Sequence, residues 1–420
     1  GGTARAAVGK IARGRGRVPA YQPPKEERKP SRKPRQRKIK YKVFSLGQGL
    51  DMPLFIFILV LLAIGLVMLF SASYAYAYYN DGSSYAYISR QGMFAVLGVA
   101  AMLFISTFDY HHYHKFAWPV MGVAVLFLCL VMLFKALGLK SLAPNEGDAY
   151  RWLQLGPINF QPSEVAKFAV ILLFAHLISQ NLDKMGTFYY GVLPYVAILG
   201  VVGGLIFLEY HLSATLNVLM LGAILMFVGG TQLPGVLLGG GALAVLLIIM
   251  LFFGDSYQAS RVDIWLDPFS PDLDPDLTWQ TRQSLYAIGS GGFLGVGLGQ
   301  SRQKYLWLPE PQNDFIFAIV CEELGLLGAL VIMVLFGLLI WRGVYVSLHA
   351  RDKFGMLLGL GITFQVGLQA VLNICVVTNT IPNTGISLPF FSYGGTALLM
   401  LLGEMGVLLN ISRSCNVEKT

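Results

Sequence analysis

Hydrophobic positions in this chain fall in blocks, not stripes. From Met52 to Phe70 the sequence MPLFIFILVLLAIGLVMLF carries no charge over 19 positions, close to the roughly 20 residues that one bilayer crossing needs. The same pattern predicts helices over 52–74, 91–108, 116–137, 164–180, 188–208, 213–231, 233–253, 314–341, 355–378 and 393–412. The blocks do not alternate with period two, which excludes a transmembrane β-barrel. The expected fold class is therefore an all-α polytopic membrane protein with about ten transmembrane helices. Its largest extracytoplasmic loop, 254–313, would lie between spans 7 and 8.

Composition agrees, and charge adds a polarity. Hydrophobic residues make up 55% of the chain and charged ones 13%, about half the share in a soluble domain. The net charge of +8 hides a split. Residues 1–42 hold 15 Lys/Arg against Glu26 and Glu27, so this stretch is +13 and the remainder −5. A basic, Gly- and Pro-rich segment cannot bury a core. Residues 1–45 are expected to be a disordered cytoplasmic tail that meets membrane lipids and no nucleic acid. Residues 46–413 would form the membrane domain and 414–420 a cytoplasmic C-terminal tail. With the tail inside and an even number of crossings, 22 of the 31 Lys/Arg fall on the cytoplasmic side, among them Lys115, Lys184, Arg342, Arg351 and Lys353. Both termini are then cytoplasmic. Cys129, Cys321 and Cys375 lie in apolar blocks and Cys415 near the C-terminus. No two share a loop, so neither a disulfide framework nor a zinc spacing is expected.

Three connections then face outward, 138–163, 254–313 and 379–392, and long ordered loops tend to carry function. At the end of the second stands Asp314, in LPEPQNDFIFAIVCEELG. Near a helix N-terminus a carboxylate is either a cap or, in a poorly hydrated mouth, a general base; pattern alone does not separate the two. Glu164 and Lys167 in QPSEVAKFAVILLF are three apart, hence on one helix face, and either pair locally or line a polar cavity. Arg151 in RWLQLGP suits a phosphate oxygen. Arg261, Arg282, Arg302 and Lys304 supply cations in the large loop, whose glycines fit no nucleotide-binding motif and instead permit tight turns and close backbone approach. DYHHYHK falls in a short cytoplasmic turn and is not read as a metal site. Glu322, Glu323 and Glu404 lie within spans and are expected to be paired or protonated, with the partners of Glu322 and Glu323 on other helices. No nucleophile-elbow motif supports a serine hydrolase.

Three blocks, RWLQLGPINFQPSEVAKFA, QSLYAIGSGGFLGVGLGQSRQKYLWLPEPQNDFIFAIVCEELGLLGAL and PNTGISLPFFSYGGTALLM, resemble the signatures of the SEDS family, the RodA, FtsW and SpoVE proteins, with wording closest to the FtsW/SpoVE type. The resemblance covers about 50–412. It implies a bacterial peptidoglycan glycosyltransferase that polymerises lipid II, the undecaprenyl-pyrophosphate-linked disaccharide peptide, at the outer face of the cytoplasmic membrane. The process served would be cell division or a related cell-wall task, and the implied partner is a class B penicillin-binding protein, a transpeptidase. The family's essential aspartate matches Asp314 and its Glu and Lys match Glu164 and Lys167. Its Arg-Trp matches Arg151 and Trp152.

On this reading Asp314 is the general base, and Arg151, Glu164, Lys167, Lys304, Gln312 and Asn313 meet the substrate. No resident cofactor is required, and the pyrophosphate is stabilised with or without a divalent cation, Mg²⁺ or Mn²⁺. The chain departs from the family in two places. Gln312-Asn313 stands where many members have His-Thr, and EYHLSAT (Glu209 to Thr215) where many have Glu/Gln-Pro-Asp-Leu-Gly-Thr, so His211 replaces an aspartate. A lipid II flippase and a non-catalytic scaffold for cell-wall synthases are the alternatives.

Overall fold

The structure, a computed structural model, describes residues 49–232 apart from 140, 147, 148 and 157, then 234 and 256–415. The basic tail, the seventh predicted span over 233–253 save residue 234, and residues 416–420 lie outside the described residues. Everything below belongs to one compact unit over 41–420.

The helices are α1 (Met52–Asp81), α2 (Ala86–Ile105), α3 (Tyr113–Ala136), α4 (Pro162–Asn181), α5 (Leu193–Leu208), α6 (Leu212–Val228), α7 (Ser256–Leu266), α8 (Pro275–Gly291), α9 (Ile316–Leu348), α10 (Lys353–Val377) and α11 (Gly395–Ser414). Eight of the described helices, some extended by a preceding or following turn, are long and apolar enough to cross a membrane, and α6 is a shorter apolar helix. Between α3 and α4 lie two small antiparallel hairpins: β1 (Asn145–Glu146) with β2 (Ala149–Tyr150), and β3 (Leu153–Leu155) with β4 (Ile158–Phe160). The helices α4, α10 and α11 are buried on most sides, whereas α2 and α3 turn large apolar side chains such as Val96, Phe104 and Trp118 outward. In lipid that exposure is neutral, so the bundle is held by close packing and internal hydrogen bonds.

Ends are set by local chemistry more than by hydropathy. The first helix outlasts its apolar block by about two turns because nothing stops it before Gly82, whose φ of 68° takes the left-handed cap while its N–H donates to Tyr78 O. Its start is capped by Asp51, which accepts from Leu54 N at 3.0 Å. The same carboxylate pairs with Arg342 through two bonds of 3.0 and 2.8 Å. Arg342 is thus not in a connection, as its charge suggested, but inside α9, which continues to Leu348 because its cation has a partner.

The largest departure is in the 254–313 region. It contains α7 and α8, and after α8 the chain folds against α9 where that helix is broken. Gly325, with φ 68° and ψ −169°, interrupts α9. Freed backbone groups cannot stay unpaired in an apolar setting, and residues 292–297 answer them: Val296 N and Gly297 N donate to Glu322 O and Glu323 O (2.9 and 3.0 Å), and Leu326 N and Leu327 N donate to Gly292 O and Phe293 O (3.0 and 3.1 Å). Gly295 is the contact point. A Cβ there would sit 2.2 Å from Glu323 O, and one on Gly325 would sit 2.2 Å from Gly295 N. The close approach expected of these glycines is real, but it is made to the chain's own helix.

Candidate functional site

At one end of the bundle, α2, the hairpins, α4, the start of α6, the residues before α9 and the 379–394 connection enclose a cavity of about 670 Å³. Arg151, Glu164, Lys167, Asn313 and Asp314 all line it. Five sequence-predicted residues, drawn from three separate stretches, therefore meet around one space.

Each is placed by its local sequence. Pro162 opens α4 and Glu164 lies in its first turn, so Lys167, three residues on, falls on the same face. Lys167 Nζ reaches Glu164 Oε1 at 2.8 Å with only 2% of its side chain exposed. Arg151 extends across to donate from Nη2 to Tyr210 O (2.9 Å). Asp314 is half-buried and stands just before Phe315, the capping position of α9, which itself makes no side-chain cap. Its backbone is pinned from the other side of the bundle. Tyr393 N donates to Gln312 O (2.8 Å), Ser392 Oγ to Asn313 O (2.8 Å), and Asn373 Nδ2 to Asp314 O (2.7 Å). Three consecutive carbonyls are thus held by α10 and the connection after it. Gly385, with φ 72°, lets that connection pass so close that a Cβ there would sit 3.0 Å from Asp314 Oδ2. Asn313 donates from Nδ2 to Glu310 Oε2 (2.9 Å) and keeps an Oδ1 without a hydrogen-bond partner among the described residues.

Two expected residues lie elsewhere. Gln312 is 2% exposed and does not line the cavity; the chain direction that brings Asp314 to the wall turns its neighbour inward. Lys304 is 3% exposed and also off the cavity. Its Nζ is held by Glu323 Oε1 (2.9 Å), Gly299 O (2.7 Å) and Ser71 Oγ (3.1 Å). This corrects its expected role as a substrate cation, because a buried ammonium goes to the buried carboxylate that neutralises it. The same cluster answers the question of the span carboxylates. Glu323 accepts from Ser71 Oγ, Gly299 N and Ser301 N, and Glu322 from Ser301 Oγ, Arg302 N and Gln303 N. Among the described residues only Ser71 comes from another helix, so most partners seen belong to the folded-back loop, against expectation. Glu404 receives Gln365 Nε2 at 3.0 Å from α10. Arg261 and Arg282 donate to loop carbonyls, Asn383 O and Ser270 O among them.

Pattern reading attached no role to the connection between α5 and α6. Glu209 is fully buried, both its carboxyl oxygens lack hydrogen-bond partners among the described residues, and burial pushes it up to about 9 against the pull of Arg151 and Lys135. His211 lines the cavity and is held well below the usual histidine range by burial and by the charges of Arg151 and Lys167. At neutral pH both groups are therefore uncharged, and the fixed charges on this wall are Arg151 and the Glu164–Lys167 pair. Two histidines of DYHHYHK have partners away from the cavity: His111 Nδ1 meets Asp109 Oδ1 within the turn and His114 Nδ1 meets His176 Nδ1 of α4, each at 2.6 Å. Among the described residues no three His, Cys, Asp or Glu side chains are grouped to hold a metal ion.

A carboxylate, Asp314, and two cations, Arg151 and Lys167, thus line the same chamber. Asp314 can accept a proton from a hydroxyl, and Arg151 and Lys167 can stabilise an anion that departs. A family model described as "Cell cycle protein", spanning FtsW, RodA and SpoVE, matches residues 52–417. A protein of Geobacter sp. (strain M18) named probable peptidoglycan glycosyltransferase FtsW is 38% identical over 335 residues, 80% of this chain and 88% of the relative. Stage V sporulation protein E of Bacillus subtilis (strain 168) is 37% identical over 337 residues, 80% and 89% of the two chains. Of solved structures, one described as "Structural coordination of polymerization and crosslinking by a peptidoglycan synthase complex" matches with TM-score 0.70 at 26% identity, over 88% of this chain and 99% of that one. The rod shape determining protein RodA of Thermus thermophilus matches with TM-score 0.64 at 25% identity over the same shares.

Proposed function

This chain belongs to the FtsW, RodA and SpoVE family and is a peptidoglycan glycosyltransferase of cell-wall synthesis; from that premise we propose that the cavity polymerises lipid II at the outer face of the cytoplasmic membrane, with both termini inside. What carries the reading is the convergence of Asp314, Arg151, Lys167 and Glu164 on one chamber at the end of a membrane bundle. Lipid tails stay in the bilayer and sugars enter the mouth, which is why the charges sit at span ends.

In the proposed reaction the sugar 4-hydroxyl of one lipid-linked saccharide attacks the anomeric carbon at the lipid-linked end of the growing chain. The new glycosidic bond forms as the bond from that carbon to the pyrophosphate oxygen breaks. Asp314 takes the hydroxyl proton, and the polyprenyl pyrophosphate leaves with the bonding pair. Arg151 and Lys167 face the developing charge, and Glu164 fixes Lys167 in place. Base catalysis supplies about 10²–10⁴-fold, and the rest comes from alignment of two large substrates. Where Mg²⁺ or Mn²⁺ takes part, the substrate's phosphates are its main ligands. The proposed partner is a class B penicillin-binding protein transpeptidase.

The test is incubation of the purified chain with labelled lipid II, alone and with the transpeptidase. Glycan polymer is expected. Movement of lipid II across vesicles with no polymer under either condition overturns the reading in favour of transport; partner binding with neither leaves a scaffold. A finer prediction concerns Gly385. Gly385→Ala forces a side chain into the left-handed region at about 1–2 kcal/mol and presses on Asp314. We expect roughly tenfold less polymer, a loss of about 1.4 kcal/mol in transition-state stabilisation, with lipid II binding retained. Unchanged turnover would show that the 379–394 connection does not position the base.

A further inference from the structure

We propose that His211 is a third pyrophosphate-binding residue of the cavity, taking up a proton as the anion binds beside Arg151 and Lys167. The proposal rests on the reading above for the nature of the anion. Its geometry stands on its own.

His211 occupies a constrained place. It follows Tyr210, whose φ of 57° is left-handed and whose carbonyl is held by Arg151 Nη2 at 2.9 Å. Its own carbonyl accepts from Thr215 N (3.1 Å) and Thr215 Oγ1 (3.0 Å), which fixes it at the head of α6. Its Nδ1 lies 3.4 Å from Ser163 Oγ, in the first turn of α4 and one residue before Glu164. Only 7% of the residue is exposed, yet it forms part of the cavity wall. The imidazole therefore sits in the gap between the Arg151 backbone clamp and the Glu164–Lys167 pair.

The surrounding charges define what it can do. Lys167 and Glu164 face it from α4, Arg151 from the hairpin connection, and Glu209 precedes it in its own turn. Lys135 of α3 lies over the Tyr210 ring at 4.7 Å, and Arg90 of α2, Asp314 and Glu310 stand elsewhere around the cavity. Lys167 is already paired. Glu209 is buried and neutral at neutral pH, so it brings no charge to the turn. Burial, and after it the charges of Arg151 and Lys167, keep the imidazole neutral. A pyrophosphate on Arg151 and Lys167 reverses the sign of the local field, so the same histidine gains a proton and becomes a charge-assisted donor. At the head of α6 this chain thus has a group whose charge follows that of its ligand: neutral on its own, cationic when an anion arrives.

The experiment is calorimetric binding of inorganic pyrophosphate to the full chain in detergent near pH 7, in buffers of different ionisation enthalpy, for wild type, His211→Asn and His211→Lys. Pyrophosphate's own protons contribute equally to all three, so the difference isolates the residue. Wild type is expected to take up about one proton more than either variant. His211→Asn should bind about tenfold more weakly, as for loss of one charge-assisted bond. His211→Lys, cationic throughout, should keep binding without the extra uptake, and a matching thermal transition shows that each variant folds. Equal proton uptake in wild type and His211→Asn overturns the proposal, as does undiminished binding by His211→Asn. Failure of the polymerase reading is separate: wild type would then make no glycan from lipid II while the His211-dependent proton uptake persists.

Discussion

Asp314→Asn is expected to abolish polymerisation of lipid II by the purified protein and to leave its thermal transition in place. The substitution keeps the shape of the side chain and removes only its capacity to accept a proton at neutral pH. Loss of a general base costs about 10²–10⁴-fold, which places any residual product at the limit of a glycan gel. The fold should survive because the segment is held by its backbone, not by this carboxylate. The carbonyls of Gln312, Asn313 and Asp314 are each bonded to α10 or to the connection after it, and Phe315 and Ile316 behind them are buried. The measurement is polymer length and yield for wild type and variant, alongside thermal unfolding in the same detergent. Glycan made at a comparable rate by the variant would remove Asp314 from the chemistry and return it to the role of a helix-end anion. A variant that is inactive because it has lost its thermal transition would show instead that the carboxylate is structural.

What the sequence revealed and what it hid follow from which forces leave a one-dimensional trace. Spans such as α1 and α10 are legible because lipid demands a long run of apolar side chains, and that run is a local property. Glu164 and Lys167 are legible as a pair because three-residue spacing is also local. The meeting of Arg151, Glu164, Lys167 and Asp314 in one cavity is not local. It was reached by placing each at the same end of its span and by the family blocks.

The missed features have non-local or backbone causes. The buried positions of α8 include Thr278, Thr281, Ser284, Ala287 and Gly291, polar or small residues at helical spacing, so no apolar stripe marks it. The break in α9 is closed by backbone bonds from residues 292–297, and backbone partners leave no pattern beyond glycine itself. Gln312 and Asn313 were alike as polar neighbours of Asp314. Only the chain's path, set by bonds from Tyr393 and Ser392, sends one inward and the other to the wall.

Lys304 separates the two readings most sharply, because each demands a different experimental signature. A cation that touches substrate can be removed with loss of binding and little loss of stability. A buried cation paired to a carboxylate cannot. Lys304 Nζ fills its three bonds with Glu323, Gly299 and Ser71, and Glu323, 1% exposed, sits two residues before the break at Gly325. Lys304→Met keeps the length and apolar stem of the side chain but strands Glu323 as an unneutralised charge. Breaking a buried pair from one side costs about 3–5 kcal/mol, a large fraction of the roughly 5–15 kcal/mol that holds a typical domain. The expected result is a pronounced fall in thermal stability in detergent, with lipid II polymerisation lost only as the protein unfolds. The double variant Lys304→Met, Glu323→Gln should recover part of the loss, since an amide carries no charge and its one oxygen still accepts from either Gly299 N or Ser301 N, which the carboxylate served with separate oxygens. If Lys304→Met unfolds like wild type and weakens only substrate binding, the loop cation belongs to the site after all. If the double variant is no more stable than the single one, the pair is not what holds residues 299–304 against the broken helix.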